Sequence, residues 1–569
     1  MRYLTRAGDR ARLEWALDEA IGHYRALLPL LERRGADREI ALVLFKLAIA
    51  LHTSLRFAEA NTAYQRAFEH WKPLSPGTPN TTLRMTGSYV PRVADPRDAG
   101  FWPDINLGMQ LFDRLVEAWP ERTIVPSLAE RWEISDDGLR YVFHLRDGLR
   151  WSDGEPLTAH DVEFGIKRVL DPKRPGTSAP IYFALENGED YYLERNDDAG
   201  RIGVRALDDR TVEFRLVAPT PYFMNVVNRP DGGPQPRHAI ERDGDAWTEP
   251  GKQVVSGPFR QLEGSNERLV LGRNEAYTGV RTGNVKRVEL TAATADEALE
   301  PLDRGEVDLI RVMYTPRTSD HVRSRPSGSG PLTWTAYLAF NHSHPVVGNV
   351  DLRRALASAV DRSRLEPLMP ANLEVATGGL VPPALQGHTP DIVLPFGTDA
   401  GRDLEIADAS GLEIAAQDVW APLLEAITGS WHEVLGLEVG LRLWTAETVD
   451  EVAPLGRPLE LAPIAVLGWL PGYPDPEYCL RLILHSHAKA NEGGYAHAPF
   501  DELIDEARQA PTGAKRLELF RQADRLAVVD QAAVIPLVYG RSMAFVRPGV
   551  EGWWEFAKSS ASFADLVVT

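Results

Sequence analysis

Residues 128–172 read LAERWEISDDGLRYVFHLRDGLRWSDGEPLTAHDVEFGIKRVLDP. Within them, YVFHLR (141–146) alternates apolar and polar side chains, the pattern of a strand with one buried face. The run ends on Asp147-Gly148, a hairpin-turn dipeptide, and a second Asp-Gly follows at Asp153-Gly154. Thr158 then predicts an N-cap ahead of a helix, AHDVEFGIKRVL, with acid in its first turn and base in its last, as the helix dipole favours. Asp136-Asp137 falls in a further predicted turn and reads as a solvated pair rather than an acid–base pair. Strand, turn and helix follow one another within a single short stretch, which makes it α/β.

The same alternation extends outward. LRMTGSYV (83–90) and TVEFRLVAP (211–219) read as strands, and RRALASAVD (353–361) and FDELIDEARQA (500–510) as helices. Strands alternating with helices imply lobes built on parallel sheet, with some antiparallel hairpins.

The N-terminal region differs. Two segments offset by 40 residues align Leu4, Ala7, Gly8, Ala11, Leu17, Ala20 and Tyr24 with Leu44, Leu47, Ala48, Leu51, Phe57, Ala60 and Tyr64. Small residues stand where antiparallel helices approach closely, and large ones fill the gaps between pairs. The pattern resembles the tetratricopeptide repeat in a long-spaced form. A plain helical hairpin packed on a neighbour is the simpler alternative. Two repeats fall short of the roughly three needed for independent stability, so the array is expected either to continue upstream or to lean on the rest of the chain. Leu74–Pro79 (LSPGTP) reads as a linker. Residues 1–72 carry 12 basic and 9 acidic side chains, or +3; with −19 overall, the remainder carries −22.

That acidic balance argues against a general nucleic-acid binder. One cysteine, Cys479, excludes an internal disulfide and any multi-cysteine metal site, and is expected to be a buried small hydrophobe. No run approaches the ~18 apolar residues of a membrane span. Residues 1–30 are charged throughout, with neither an apolar leader nor a lipid-anchor cysteine, so a cytoplasmic location is expected, or an extracytoplasmic one if the N-terminus is incomplete. Phosphate-binding, zinc-protease and nucleophile-elbow motifs are absent, and His432-Glu433 lacks a second histidine, so no enzyme is expected.

The stretch 128–172 closely resembles the signature of the family 5 extracellular solute-binding proteins, the peptide and nickel receptors of ABC importers. The likeness continues in order through SGPFR (256–260), RNEAYTG (273–279), VKRVEL (285–290), ALEPLDRGEVDLI (298–310), YLAFNHSHPVVGNVDLRRALASAVDR (337–362), GLVPP (379–383), GWLPGYPDPEYCL (468–480), GGYAHAPFDELIDEAR (493–508) and VIPLVYGRSMAFVRPGVEGW (534–553). This resemblance implies an α/β, two-lobed periplasmic-binding-protein-like fold with an inserted subdomain, preceded here by an all-α helical repeat. It implies a repeat region over 1–73, a first lobe over 80–315 completed by 532–569, and a second lobe over 320–531, with chain crossings near 312–330 and Tyr539. It also implies that the lobes close on a ligand.

In peptide-binding relatives the GWxxD stretch carries an aspartate that pairs with the ligand's ammonium. Here that position holds Gly472. Trp469 is retained for stacking on a ligand. Tyr473 and Asp475 follow in what also reads as a turn, and Asp475 is a candidate substitute carboxylate. Tyr89, Tyr337, Asn341 and Tyr539 complete the candidate ligand contacts, each with core packing as the competing role. His485, His487 and His497 raise a metal reading, since imidazoles bind Ni and Zn, but a polar surface loop is the expected identity of that segment. No metal and no cofactor is expected.

Two functions compete. The favoured one is a sensor or scaffold that binds a small or peptide-like ligand and reports through a protein partner docked on the N-terminal repeats, which would add nothing to the ligand pocket. The alternative is the substrate-binding receptor of an ABC peptide importer, handing its ligand to a permease. Neither involves nucleic acid or membrane insertion.

Overall fold

The computed structural model describes all residues except 73–74, 101, 120–121, 280, 313–318, 320–321, 323, 326–327, 371, 391, 394, 398–410, 446–457 and 554–561. Much of the expected crossing near 312–330 lies outside the described residues. The chain divides into two compact units, Met1–Arg311 with Ala544–Thr569, and Val312–Met543.

The first unit opens with four helices, α1 (Arg2–Leu13), α2 (Leu17–Glu32), α3 (Asp37–Thr53) and α4 (Phe57–His70). The repeat-aligned Ala20, Tyr24, Ala60 and Tyr64 are all buried, at equivalent places in α2 and α4. After them β1 (Thr81–Gly87) enters a sheet with β8 (Phe259–Gly264), β9 (Arg268–Arg273), β10 (Val285–Ala292) and β11 (Leu309–Val312), in the order β11-β1-β10-β9-β8. β1 runs parallel to both its neighbours, with Met85 opposite Leu290 and Leu309. A hairpin, β2 (Val116–Trp119) with β3 (Thr123–Pro126), precedes a separate four-stranded antiparallel sheet. That sheet is β4 (Ala129–Ile134), β5 (Arg140–Leu145), β6 (Val204–Asp208) and β7 (Thr211–Arg215), ordered β4-β5-β7-β6.

The stretch 128–172 folds as β4, β5 and the helix Ala159–Leu170. Thr158 and Asp161 form the capping box, with the Thr158 N–H donating to Asp161 Oδ2 at 2.8 Å. Gly138, in the β4–β5 turn, has φ +70 and lies so close to Phe57 of α4 that a Cβ would come within 2.4 Å of the ring, so only glycine fits. The sequence places a hairpin at Asp147-Gly148, and the structure differs. The long-range partner of β5 is β7, and the residues after Gly148 form a small loop closed by the Arg150–Pro156 bridge.

The four helices lean on the body. Trp132 of β4 is fully buried with Tyr64 and Phe68 at 5.0 and 4.7 Å, ring centre to ring centre, and Phe45 at 6.3 Å. The Gln65 amide donates to the Trp132 carbonyl at 2.8 Å, and the Ile134 N–H to Asn61 at 3.1 Å. Beside them the Tyr141 hydroxyl donates to His52 Nε2 at 2.8 Å, while His52 Nδ1–H donates to the Pro221 carbonyl at 3.2 Å. Trp71 meets Trp119 at 5.5 Å. Within the segment read as a linker, the Gly77 N–H donates to the Arg281 carbonyl at 2.8 Å.

The second unit is built on β12 (Gly328–Phe340), β13 (Leu373–Val375), β14 (Glu413–Gln417), β15 (Gly440–Trp444), β16 (Ile464–Trp469) and β17 (Val534–Val546). Their order is β15-β14-β16-β12-β17, with β13 on β17. β14 is parallel to β15 and β16, and β12 is antiparallel to β16. One core face of this sheet gathers Leu338, Ile414, Ile464 and Trp431; the other gathers Ala339, Ala465, Cys479 and Phe520.

Candidate functional site

Seven of the eight candidate ligand residues belong to the second unit. Trp469 ends β16, opposite Thr335 of β12. The segment 470–475 then turns into the helix Pro476–Leu484. Asp475 is the N-cap, accepting the Glu477 N–H at 3.0 Å, and Pro476 occupies the first turn, where its missing N–H costs nothing. The half-buried Trp469 donates its indole N–H to the Tyr478 carbonyl at 3.1 Å. Its ring lies 5.7 Å from that of Tyr478, on whose other contact Tyr473 sits edge-on at 4.7 Å. Trp469, Tyr473 and Tyr478 thus form an aromatic cluster, with Tyr473 buried and half-buried Gly472 beside it on the turn.

Asp475 is not a free carboxylate. It is 2% exposed, and both its oxygens accept from Arg516, at 2.7 and 2.8 Å. Arg516 also reaches Glu477 at 3.0 Å, and Glu477 takes a second guanidinium, Arg508, at 3.1 Å. Two carboxylates and two guanidinium groups therefore neutralise one another beneath the turn. Burial nevertheless pushes the Asp475 carboxyl above its ordinary range, with Arg516 pulling the other way. Arg508 and Arg516 carry no signal in the sequence that links them to Asp475. The Asp-Pro pair, an N-cap followed by a first-turn proline, is the local signal for the cap.

The remaining candidates are scattered. Tyr337 is 2% exposed within the core of β12, and Tyr539 is 1% exposed on β17, its hydroxyl donating to the Gly379 carbonyl at 2.7 Å. Burial pushes both hydroxyls above the usual tyrosine range. Asn341 shapes a turn, accepting the Ser343 N–H at 3.0 Å. Tyr89, in the first unit, is half-buried and donates to Asp104 at 3.2 Å, with Arg92 over its ring.

Among the histidines, His485 Nε2 lies 3.8 and 3.7 Å from Asp501 and Asp505, and Nδ1 accepts the His487 N–H at 3.2 Å. Among the described residues no three His, Cys, Asp or Glu side chains assemble in a metal-binding arrangement. Cys479 is fully buried, as its apolar neighbours imply.

Comparison with known proteins adds the following. The model of the bacterial extracellular solute-binding proteins, family 5 Middle, matches residues 123–491. The probable deoxycholate-binding periplasmic protein YgiS of Escherichia coli is 29% identical over 506 residues, 84% of this chain and 92% of that protein. The periplasmic oligopeptide-binding protein OppA of Salmonella typhimurium is 27% identical over 504 residues, 83% of this chain and 89% of its own. Among solved structures, an oligopeptide-binding protein of Borrelia burgdorferi superposes with a TM-score of 0.75 at 23% identity, covering 86% of this chain and 99% of that one. The murein tripeptide-binding protein MppA of Escherichia coli does so with 0.75 at 21%, covering 87% and 99%. These likenesses show the two-lobed fold.

They also correct the expected location. The matching model is of extracellular proteins and both relatives are named periplasmic, so the cytoplasmic reading does not stand. It rested on the charged residues 1–30, but these fold as α1 and α2, where Asp9 accepts from Tyr24 and Lys46. Their charge pattern serves an amphipathic helix pair.

Proposed function

The chain belongs to family 5 of the bacterial extracellular solute-binding proteins, and on that premise we propose that it is an extracytoplasmic receptor for a small solute bearing no free ammonium where it meets the turn 469–476. The observation that carries this is the state of the carboxylates there. Gly472 has none, and Asp475 and Glu477 are buried and saturated by Arg516 and Arg508. A buried ammonium without a facing carboxylate is strongly disfavoured. The half-buried Trp469, with Tyr473 packed into the turn behind it, suits an uncharged or apolar group instead. Asp475 acts on the ligand only through the turn it holds; Tyr337 and Tyr539 brace the strands, and Asn341 and Tyr89 are secondary candidates.

Ligand binding is common to both readings of the sequence. Between them the importer receptor is favoured, with a permease as partner and no catalytic step, because the relatives are oligopeptide- and dipeptide-binding proteins by name and the Borrelia burgdorferi structure is named for an oligopeptide ABC transporter. The lobe boundaries expected from the sequence, and the reading of α1–α4 as two tetratricopeptide-like pairs, are part of this proposal; the equivalent burial of Ala20/Tyr24 and Ala60/Tyr64 supports the latter. Two ligand classes satisfy the charge argument: amino-blocked peptides, and amphipathic carboxylates such as the deoxycholate named for the relative that is 29% identical. Calorimetry with free-amine di- to pentapeptides, their N-acetylated forms and deoxycholate separates them. The blocked peptides or deoxycholate should bind at least tenfold tighter than free-amine peptides. A micromolar preference for the free amines would overturn the proposal.

A further inference from the structure

Tetratricopeptide arrays hold partners in the groove lined by their first helices, but here α3 packs on β3, and α4 on β4. The chain's own strands thus cover both helices of the second pair, so whatever docks on α1–α4 must approach from the side left open. There α1 shows a single stripe. On a helix of 3.6 residues per turn, Arg2, Leu13, Arg6, Arg10 and Tyr3 fall in adjacent positions, opposite Gly8, Ala11 and Arg12, which are buried. Tyr3 is 78% exposed and Leu13 40%. The antiparallel pairing of α1 with α2 brings Arg2 and Tyr3 to the end of the hairpin that carries Leu30, 38% exposed, and the basic turn Arg33-Arg34 with Arg38 beyond it. Among the described residues Arg2, Arg6, Arg33, Arg34 and Arg38, all exposed, have no hydrogen-bond or ion-pair partner for their guanidinium groups. Most other exposed arginines of this region do: Arg10 pairs with Glu14, Arg25 with Glu59 and Arg66 with Glu32.

We propose that this outer face of α1 and the α2–α3 turn is a docking surface for an anionic lipid bilayer. Three observations converge. The cations are uncompensated, whereas the rest of the chain carries −22 beyond residue 72. They share a face with an exposed tyrosine and two exposed leucines, the side chains that settle at a headgroup boundary. And residues 1–72 carry +3 on a chain whose remainder carries −22, so an anionic surface favours approach by this end. Clustered basic residues near such a surface each raise partitioning roughly fivefold, an attraction that fades beyond a Debye length. A receptor held this way keeps its acidic remainder away from the bilayer by repulsion. The surface does not depend on which solute is bound.

Sedimentation of the full chain with vesicles tests it. Phosphatidylcholine vesicles containing about one-third phosphatidylglycerol should bind the protein at low salt and release it at least tenfold on raising salt to about 0.3 M. Pure phosphatidylcholine should not bind it. The variant Arg2→Glu/Arg6→Glu/Arg33→Glu/Arg34→Glu should lose at least a hundredfold in partitioning with unchanged thermal unfolding. A control with the same charge change elsewhere, Arg205→Glu/Arg260→Glu/Arg521→Glu/Arg525→Glu, should stay within about threefold of the parent. Any of four results would overturn the proposal: no anionic binding, equal loss in both variants, equal binding to neutral vesicles, or salt-sensitive self-association that accounts for the sedimentation without lipid.

Discussion

The seam around Trp132 in the first unit and the turn around Arg516 in the second both fix one segment of chain against another, with opposite chemistry. At the seam, Phe45, Tyr64 and Phe68 close on an indole, and the polar groups beside it are neutral: an amide, a hydroxyl and an uncharged imidazole. At the turn, two buried carboxylates are cancelled by the buried Arg516 and the half-buried Arg508. The first arrangement draws most of its stability from apolar area removed from water, a term that involves no titrating group. The second stands on Coulombic attraction set against a large desolvation cost. It fixes geometry more than it adds stability, and it fails sharply when one partner goes.

The largest effect that would break this comparison is removal of residues 1–72. If the helices share the body's core, the truncated chain exposes Trp132, Trp119 and Tyr141 together and should be insoluble or lack a cooperative unfolding transition. A truncated protein with parental melting behaviour would make the helices a separate module after all. A single substitution within the seam is graded: Trp132→Ala should cost about 3–5 kcal/mol, read by urea denaturation, and equally at pH 7.5 and pH 5.5.

Arg516→Ala at the turn should cost a similar ~3–5 kcal/mol at pH 7.5, because Asp475 and Glu477 are left buried with too few cations. Here the two regions part. Burial already raises the Asp475 carboxyl, and without Arg516 it rises further. The variant therefore takes up a proton on mild acidification and regains part of the loss by pH 5.5. A penalty independent of pH would show that packing around the guanidinium, not its charge, holds the turn.

The sequence was informative wherever one segment carries its own signal. The Thr158–Asp161 box and the helix Ala159–Leu170 are written within a few residues of one another, and the paired burial of Tyr24 and Tyr64 is written twice, in two segments that repeat the same local pattern. It was silent where the partner is distant. Trp132 and Phe68 are separated by 64 positions, and Arg516 lies 41 positions beyond Asp475. Nothing in the alternation of 141–146 tells that β5 pairs with 211–215 rather than with the residues after Gly148. That Trp469, Gly472 and Tyr473 lie together on one turn follows from the motif they sit in. That Asp475 is already neutralised does not, because saturation of a carboxylate is a property of the fold.

The smallest effect distinguishes the seam from an ordinary dry core. His52 is fully buried, and burial lowers its imidazole from 6.5 to about 4. Its Nε2 already accepts the Tyr141 hydroxyl, so a proton added there displaces that bond. The unfolded chain, with its ordinary histidine, binds the proton first as pH falls. This stability is therefore fully present above about pH 6.5 and is lost progressively as pH drops toward the folded value of about 4. At pH 4.5 the loss should reach about 2–3 kcal/mol relative to pH 7.5. His342, in the second unit, is also lowered to about 4 by burial while donating to the Ala533 carbonyl at 3.1 Å, and adds a slope of the same sign. The two are separated by substitution. His52→Gln keeps a side-chain amide near the Tyr141 hydroxyl and does not titrate, so it should flatten the pH dependence by that amount and leave the His342 contribution in place. If chemical denaturation across pH 7.5 to 4.5 gave the same slope for parent and variant, His52 would not be held neutral at the seam, and the helices would dock less tightly there than the Trp132 contacts imply.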